Sequence, residues 1–124
     1  MRELHLDGTV RILGHEQSMM EAALIVRSAR ADLLAENMAN ADTPNFLQRD
    51  VRFEAALQQV LEQRLSDNSV ISHNFAPENV RVDRNDIDLN QQLGKVYENS
   101  LNYLATLRLY SDSVARLRSA TGNA

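Results

Sequence analysis

Both ends of the sequence carry a long run of apolar residues at heptad spacing, and this restricts the chain to folds built on two long helical rods. At the front, Leu6, Val10, Leu13, Gln17, Met20, Leu24, Arg27, Ala31, Leu34, Met38 and Ala41 follow alternating steps of four and three. At the back, Leu89, Leu93, Val96, Ser100, Tyr103, Leu107, Tyr110, Val114 and Leu117 do the same. Such steps align side chains in one stripe along a helix. Each run predicts a helix of about 31 residues, roughly 45 Å long. A compact globule of this chain length is only about 35 Å across, so the rods are expected to overhang any compact body and to pair with each other. The expected fold class is mainly α: a coiled-coil-like pair of long terminal helices, with a short irregular and β-containing middle.

Each rod carries a second stripe beside the first. Met19, Ala23, Val26 and Leu33 supply it on the front helix, and Tyr97, Leu101 and Leu104 on the last. A helix that is apolar on two adjacent faces requires more than one partner. The pattern therefore points to an assembly subunit, with other copies or other subunits covering what one chain leaves open.

The breaks between elements are legible in the turn chemistry. Residues 1–8 read as a frayed lead, with Gly8 as a breaker and Thr9 as N-cap of a helix from about Val10 to Asn40. Pro44 disfavours helix at Thr43 and presets the second position of a β-turn, and Asn45 tolerates the positive φ that follows. The chain therefore bends sharply over 42–46. Leu47, Arg49, Val51 and Phe53 alternate with polar residues, which predicts a short strand or extended arm. Phe53, Leu57, Val60 and Leu61 predict a helix of about three turns to near Leu65. The polar stretch from Ser66 to Glu78 reads as a loop, and Val80 and Val82 as a strand able to pair with 47–53. Arg84-Asn85-Asp86 is turn-like. Asp88 with Gln91 forms an acidic capping box that opens the last helix, which runs to about Ser119 and stops at Gly122. The resulting division is a front helix over 1–41, a turn, arm, short helix and loop over 42–87, and a back helix over 88–124.

Composition removes most chemistry. The formal net charge of −4 disfavours a phosphate backbone as partner. Twelve of the 13 cations are Arg and only Lys95 is Lys, which favours fixed, multi-donor contacts. The sequence contains no Cys, so disulfides, thiol catalysis and Cys-based zinc sites are excluded. His5, His15 and His73 never share a helical face, so they read as solvated surface residues. Asp83, Asp86 and Asp88 lack the glycine and closing glutamate of a calcium loop and read as turn and cap acids. Ser111 and Ser113 have no local base, and the four glycines form no phosphate loop. No cofactor, metal or catalytic set is expected. No stretch approaches the roughly 20 apolar residues of a membrane span, and no cleavable signal is visible.

One segment is more specific. Leu33-Leu34-Ala35-Glu36-Asn37-Met38-Ala39-Asn40-Ala41-Asp42-Thr43-Pro44-Asn45-Phe46 resembles the signature of flagellar basal-body rod proteins, which reads like L-A-N-N-I-A-N-A-D-T-P-G-Y. The A-D-T-P form, followed by Arg49-Asp50-Val51-Arg52-Phe53-Glu54, is more similar to proximal-rod members than to distal-rod or hook proteins. Asn85-Asp86-Ile87-Asp88-Leu89 is similar to the family's G-N-x-V-D-L entry to the last helix, and Glu98-Asn99-Ser100-Leu101-Asn102-Tyr103 to its E-N-x-L-x-Y. The resemblance spans roughly residues 15–120. It departs at two positions: Asn45 stands where the signature has Gly, and Arg84 where a Gly precedes the last helix.

The resemblance implies a structural subunit of the periplasmic proximal rod, which polymerises through its terminal helices, joins the membrane ring to the distal rod and transmits torque. Its partners would be other rod subunits, the protein at the junction of rod and membrane ring, copies of itself and the flagellar type III export apparatus, through which it leaves without a cleaved signal. Leu34, Asn37, Asn40, Ala41, Asp42, Thr43, Pro44, Asn45 and Phe46 would form the assembly signature. In it Asn37 and Asn40 bond across helices, while Pro44 and Phe46 set the exit of the arm. Leu89, Leu93, Val96, Tyr103, Leu107, Tyr110, Val114 and Leu117 would form the C-terminal seam. The residues alone also admit a soluble helical adaptor or regulator that binds partner helices with the same seams.

Overall fold

The computed structural model describes residues 2–66, 75–84 and 86–122. Helix α1 runs Arg2–Ala39, strand β1 Gln48–Val51, helix α2 Phe53–Ser66, strand β2 Val80–Asp83 and helix α3 Leu89–Ala120. The two long helices pack side by side, and the middle segment folds against α1 as a short helix and a two-stranded sheet. At 38 and 32 residues the rods are roughly 57 and 48 Å long. The mainly α class, the paired terminal helices and the small β element are as expected.

The start of α1 differs from the expectation. The helix begins at Arg2 and continues through Gly8 and Thr9, so there is no frayed lead over 2–8 and Thr9 is not the N-cap. A single Gly costs a helix only about 1 kcal/mol relative to Ala, which a long run of good helix formers can offset. The side chains of His5, Leu6, Val10 and Leu13 lie outside those described, as do residues 67–74 of the expected loop, with His73, and Asn85 of the expected turn.

The end of α1 follows the turn chemistry. Phe46 N–H donates to the Thr43 carbonyl at 3.3 Å, with Pro44 and Asn45 between them and Asn45 at φ 62°. Proline second and positive φ third is the type II arrangement. β1 and β2 pair antiparallel, with Gln48 opposite Asp83 and Val51 opposite Val80. The Asp88 carboxylate accepts from the backbone N–H of Asn90 at 3.0 Å and Gln91 at 3.4 Å, capping α3. At the other end the Thr121 and Gly122 amides close the last turn, with Gly122 at φ 77°.

The hydrophobic core lies between α1, β1 and α2. Ala22 and Val26 of α1, Val51 of β1, and Ala56 and Val60 of α2 are its buried members, with Ile25, Leu33, Phe53, Leu57, Leu61 and Phe75 packed around them. Helix α3 is joined to α1 differently. Its fully buried positions are Gln92, Asn99 and Ser113, all polar.

Candidate assembly surface

The signature segment builds a node where the ends of three elements meet. Asn37, only 2% exposed, lies in the last turns of α1. Its side-chain oxygen accepts from Arg49 N–H at 2.9 Å and its amide donates to the Arg49 carbonyl at 2.7 Å. One side chain thereby makes the pair of bonds that a neighbouring strand would offer β1. The same amide reaches Gln92 Oε1 of α3 at 3.3 Å, and Gln92 Nε2 donates to Gln48 Oε1 at 2.9 Å. Asn37, Gln48 and Gln92 are all buried. Amides suit this position because they supply donors and acceptors without the desolvation cost of a charge.

Within the subunit Asn37 thus reaches across to Gln92 of α3, whereas the hydrogen bonds of Asn40 stay within its own turn. Asn40 is local: its amide donates to the Glu36 carbonyl at 2.9 Å and its oxygen accepts from the Thr43 hydroxyl at 3.2 Å. It adds a side-chain bond to the Glu36 carbonyl in the last turn of α1, which its place just beyond the last helical residue allows. Leu34 is fully buried. Asp42, Thr43, Pro44 and Asn45 are exposed and Ala41 and Phe46 half-buried. With Leu47, Arg84, Asp86 and Ile87, residues 41–46 line an open cleft of about 540 Å³.

A charged cluster fixes the arm beside this node. Arg30 of α1 grips the Asp50 carboxylate with both arms of its fork, at 2.8 and 3.1 Å, and Lys95 of α3 lies 3.8 Å away. Arg49 pairs with Glu36 at 2.6 Å. Burial pushes the Asp50 carboxyl up, but the Arg30 hydrogen bond and charge, the Val51 N–H and Lys95 outweigh it, and its pKa is held below the ordinary value. A depressed carboxyl pKa stabilises the fold above the unfolded value near 3.9, and that contribution is lost as pH falls through the lower folded-state value. Wild-type stability is therefore expected to fall more steeply below about pH 4 than that of Asp50→Asn, which should itself cost about 1–2 kcal/mol at neutral pH. Chemical denaturation at a series of pH values measures both.

The C-terminal seam is divided between two faces. Val96, Tyr103, Tyr110, Val114 and Leu117 are half-buried, whereas Leu89, Leu93 and Leu107 are exposed. Helix α3 is rotated so that Gln92, Asn99 and Ser113 face inward. Asn99 donates to the Arg27 carbonyl of α1 at 2.9 Å, and the Tyr110 hydroxyl donates to Glu21 at 2.9 Å. Glu21 in turn pairs with Arg64 of α2, so all three helices meet at that carboxylate. The front seam is likewise uneven. Leu34 is buried and Ala31 exposed, while Gln17, Met20, Leu24, Arg27, Met38 and Ala41 lie between.

The rotation leaves an apolar ridge pointing away from the subunit. Leu89, Leu93, Tyr97, Leu101, Leu104 and Leu107 follow one another at steps of four and three, and each is at least 42% exposed. At 3.6 residues per turn the ridge is centred roughly 120° around α3 from the face that meets α1. It includes the second stripe, Tyr97, Leu101 and Leu104, with Tyr97 at 68% exposure. A contiguous apolar patch of this kind marks a contact surface. Among the described residues no group of His, Cys, Asp or Glu could hold a metal ion, and no helix is long and apolar enough to cross a membrane.

No family-level sequence model matches the chain. Individual relatives do. The flagellar basal body rod protein FlgB of Aeromonas hydrophila is 32% identical over 113 residues, covering 79% of this chain and 86% of that protein. FlgB of Yersinia ruckeri is 27% identical across 92% of this chain and 93% of the relative. FlgB of Escherichia coli K12 is 26% identical across 76% and 83%. These are structural proteins of the rod, a non-enzymatic family. The similarity extends over both long helices and the turn between them, so the node and the ridge sit on the framework of a rod subunit, and the chain belongs to the FlgB family of flagellar basal body rod proteins.

Proposed function

We propose that the chain is a proximal-rod subunit that polymerises through its terminal helices, with the outward ridge of α3 buried against neighbouring rod subunits. Family membership establishes a structural subunit of the basal-body rod that assembles with other rod and basal-body components. The further assignment rests on one observation: the fully buried positions of α3 are the polar Gln92, Asn99 and Ser113, while six large apolar residues form a ridge exposed to solvent. A protein adapted to remain monomeric would place these the other way round. A repeating head-to-tail contact related by a screw operation gives an open filament, which suits a rod.

In this reading the rod lies in the periplasm, joins the membrane ring to the distal rod and transmits torque. The subunit reaches the growing tip through the flagellar type III export apparatus without a cleaved signal. Neighbours that bind only the folded form supply ordering free energy on arrival. The protein at the junction of rod and membrane ring, the other rod subunits and copies of this chain are its partners. The signature residues 34–46 set how the arm leaves the helix pair. Deleting the gene tests the assignment: basal bodies from the deletion strain should carry the membrane ring and no rod, with motility absent. Complete rods in that strain would refute it.

A further inference from the structure

Arginines from three stretches of chain converge where β1 passes into α2. Arg27 and Arg30 come from α1, Arg52 from the residue before α2 and Arg81 from β2. Together with Asp50 and Glu98 they line a recess of about 370 Å³. Four guanidiniums facing two carboxylates form a positive spot on a chain of net charge −4. Asp50 is already committed to Arg30 and Lys95.

Arg27 is left without a counter-ion. Among the described residues no carboxylate lies within ion-pairing distance of it. Glu98 acts on it only through its charge at longer range. The guanidinium carbon sits over the Phe53 ring, 4.4 Å from its centre, within cation–π range. Its Nε is buried and has no hydrogen-bond partner. Burial, and then the Arg30 charge, lower its pKa, so the surroundings work against the cation instead of balancing it. Half-buried guanidiniums are normally paired, and a carboxylate is the group that their fork fits.

We propose that this recess receives an Asp or Glu side chain of an adjacent rod subunit, held by Arg27 and Arg81. The inference rests on the rod reading above. The recess has ample room for a carboxylate side chain, and the negative chain as a whole repels anionic polymers and surfaces, so an acidic side chain carried by a protein neighbour matches it best. Arg81 is exposed at the rim, where it can reach a carboxylate arriving from outside.

The test uses the full chain in cells that build basal bodies. A photoreactive residue at position 81 should cross-link to a rod subunit, and the captured peptide should contain Asp or Glu. Arg27→Gln combined with Arg81→Gln should lower incorporation into basal bodies at least tenfold, with an unchanged unfolding midpoint. The Lys counterparts should restore much of it. If the double variant does not fold, Arg81→Gln alone is read, because that side chain is exposed. Wild-type incorporation of the folded Gln variants, capture of a peptide without an acidic residue, or no cross-link to any rod subunit would overturn the inference. The deletion strain separates the two levels: a rodless deletion strain with fully incorporated Gln variants rejects the recess and leaves the rod assignment standing.

Discussion

Replacing Leu101 and Leu104 together with Asp is expected to abolish rod assembly and to leave the helix pair folded. Both residues lie on the outward ridge, at 50% and 60% exposure, so the isolated subunit loses little when they change. Surface substitutions of this kind generally shift stability by less than about 0.5 kcal/mol each. At an interface the effect is of another size. Two leucines forfeit about 1.5–3 kcal/mol each of apolar burial, and two carboxylates must be desolvated at several kcal/mol more. A loss above about 4 kcal/mol weakens association more than a thousandfold. Cells carrying the variant should be non-motile and their basal bodies should lack the protein, while its circular dichroism and unfolding midpoint match the wild type. Leu107→Asp should also block assembly. It is a less clean probe, because Leu107 borders a groove shared with Leu24 and Ile25 of α1.

Asn37→Leu should have the largest effect on the subunit itself. The substitution keeps the approximate size of the side chain and removes its bonds to Arg49 N–H, to the Arg49 carbonyl and to Gln92. These partners lie at a site where Asn37 is 2% and Gln92 0% exposed, so water cannot simply replace the lost bonds. Each buried group left unpaired costs about 1–3 kcal/mol, and a total near 3 kcal/mol is expected from the shift in denaturant midpoint. Gln92→Leu should cost less. Combining the two should cost less than the sum, because the double variant no longer strands the Asn37–Gln92 contact. Strict additivity would show that the amides act separately, not as one node.

Much of this architecture is legible in local sequence. Pro44 and Asn45 dictate the turn, since one presets φ and the other tolerates the positive value found there. Asp88 marks the start of α3 because its short carboxylate is suited to the free amides of the first turn. Alternation over 47–53 and at Val80 and Val82 marks the strand pair. The rotation of α3 about its own axis is not legible. Apolar periodicity locates a stripe and assigns it to the nearest partner, yet here Gln92 and Asn99 occupy the inner face because α1 offers them a side-chain amide and a backbone carbonyl. That preference depends on residues 55 and 72 positions away, which no local window contains. Asn40 illustrates a related limit. Its spacing from Asn37 suggests a common face, but the helix ends between them and the second amide turns back to cap it. The division of labour on α1 is equally non-local, because its core side is defined by α2 and β1.

The central claim is that the apolar ridge of α3 faces solvent in the free subunit and is covered in the rod. The absence of native cysteine makes this directly measurable. A single Leu104→Cys substitution in an otherwise Cys-free chain can be labelled with a maleimide in the purified subunit and in intact basal bodies. The account predicts rapid labelling of the free protein and strong protection in the assembled rod. Equal labelling in the two states would contradict it.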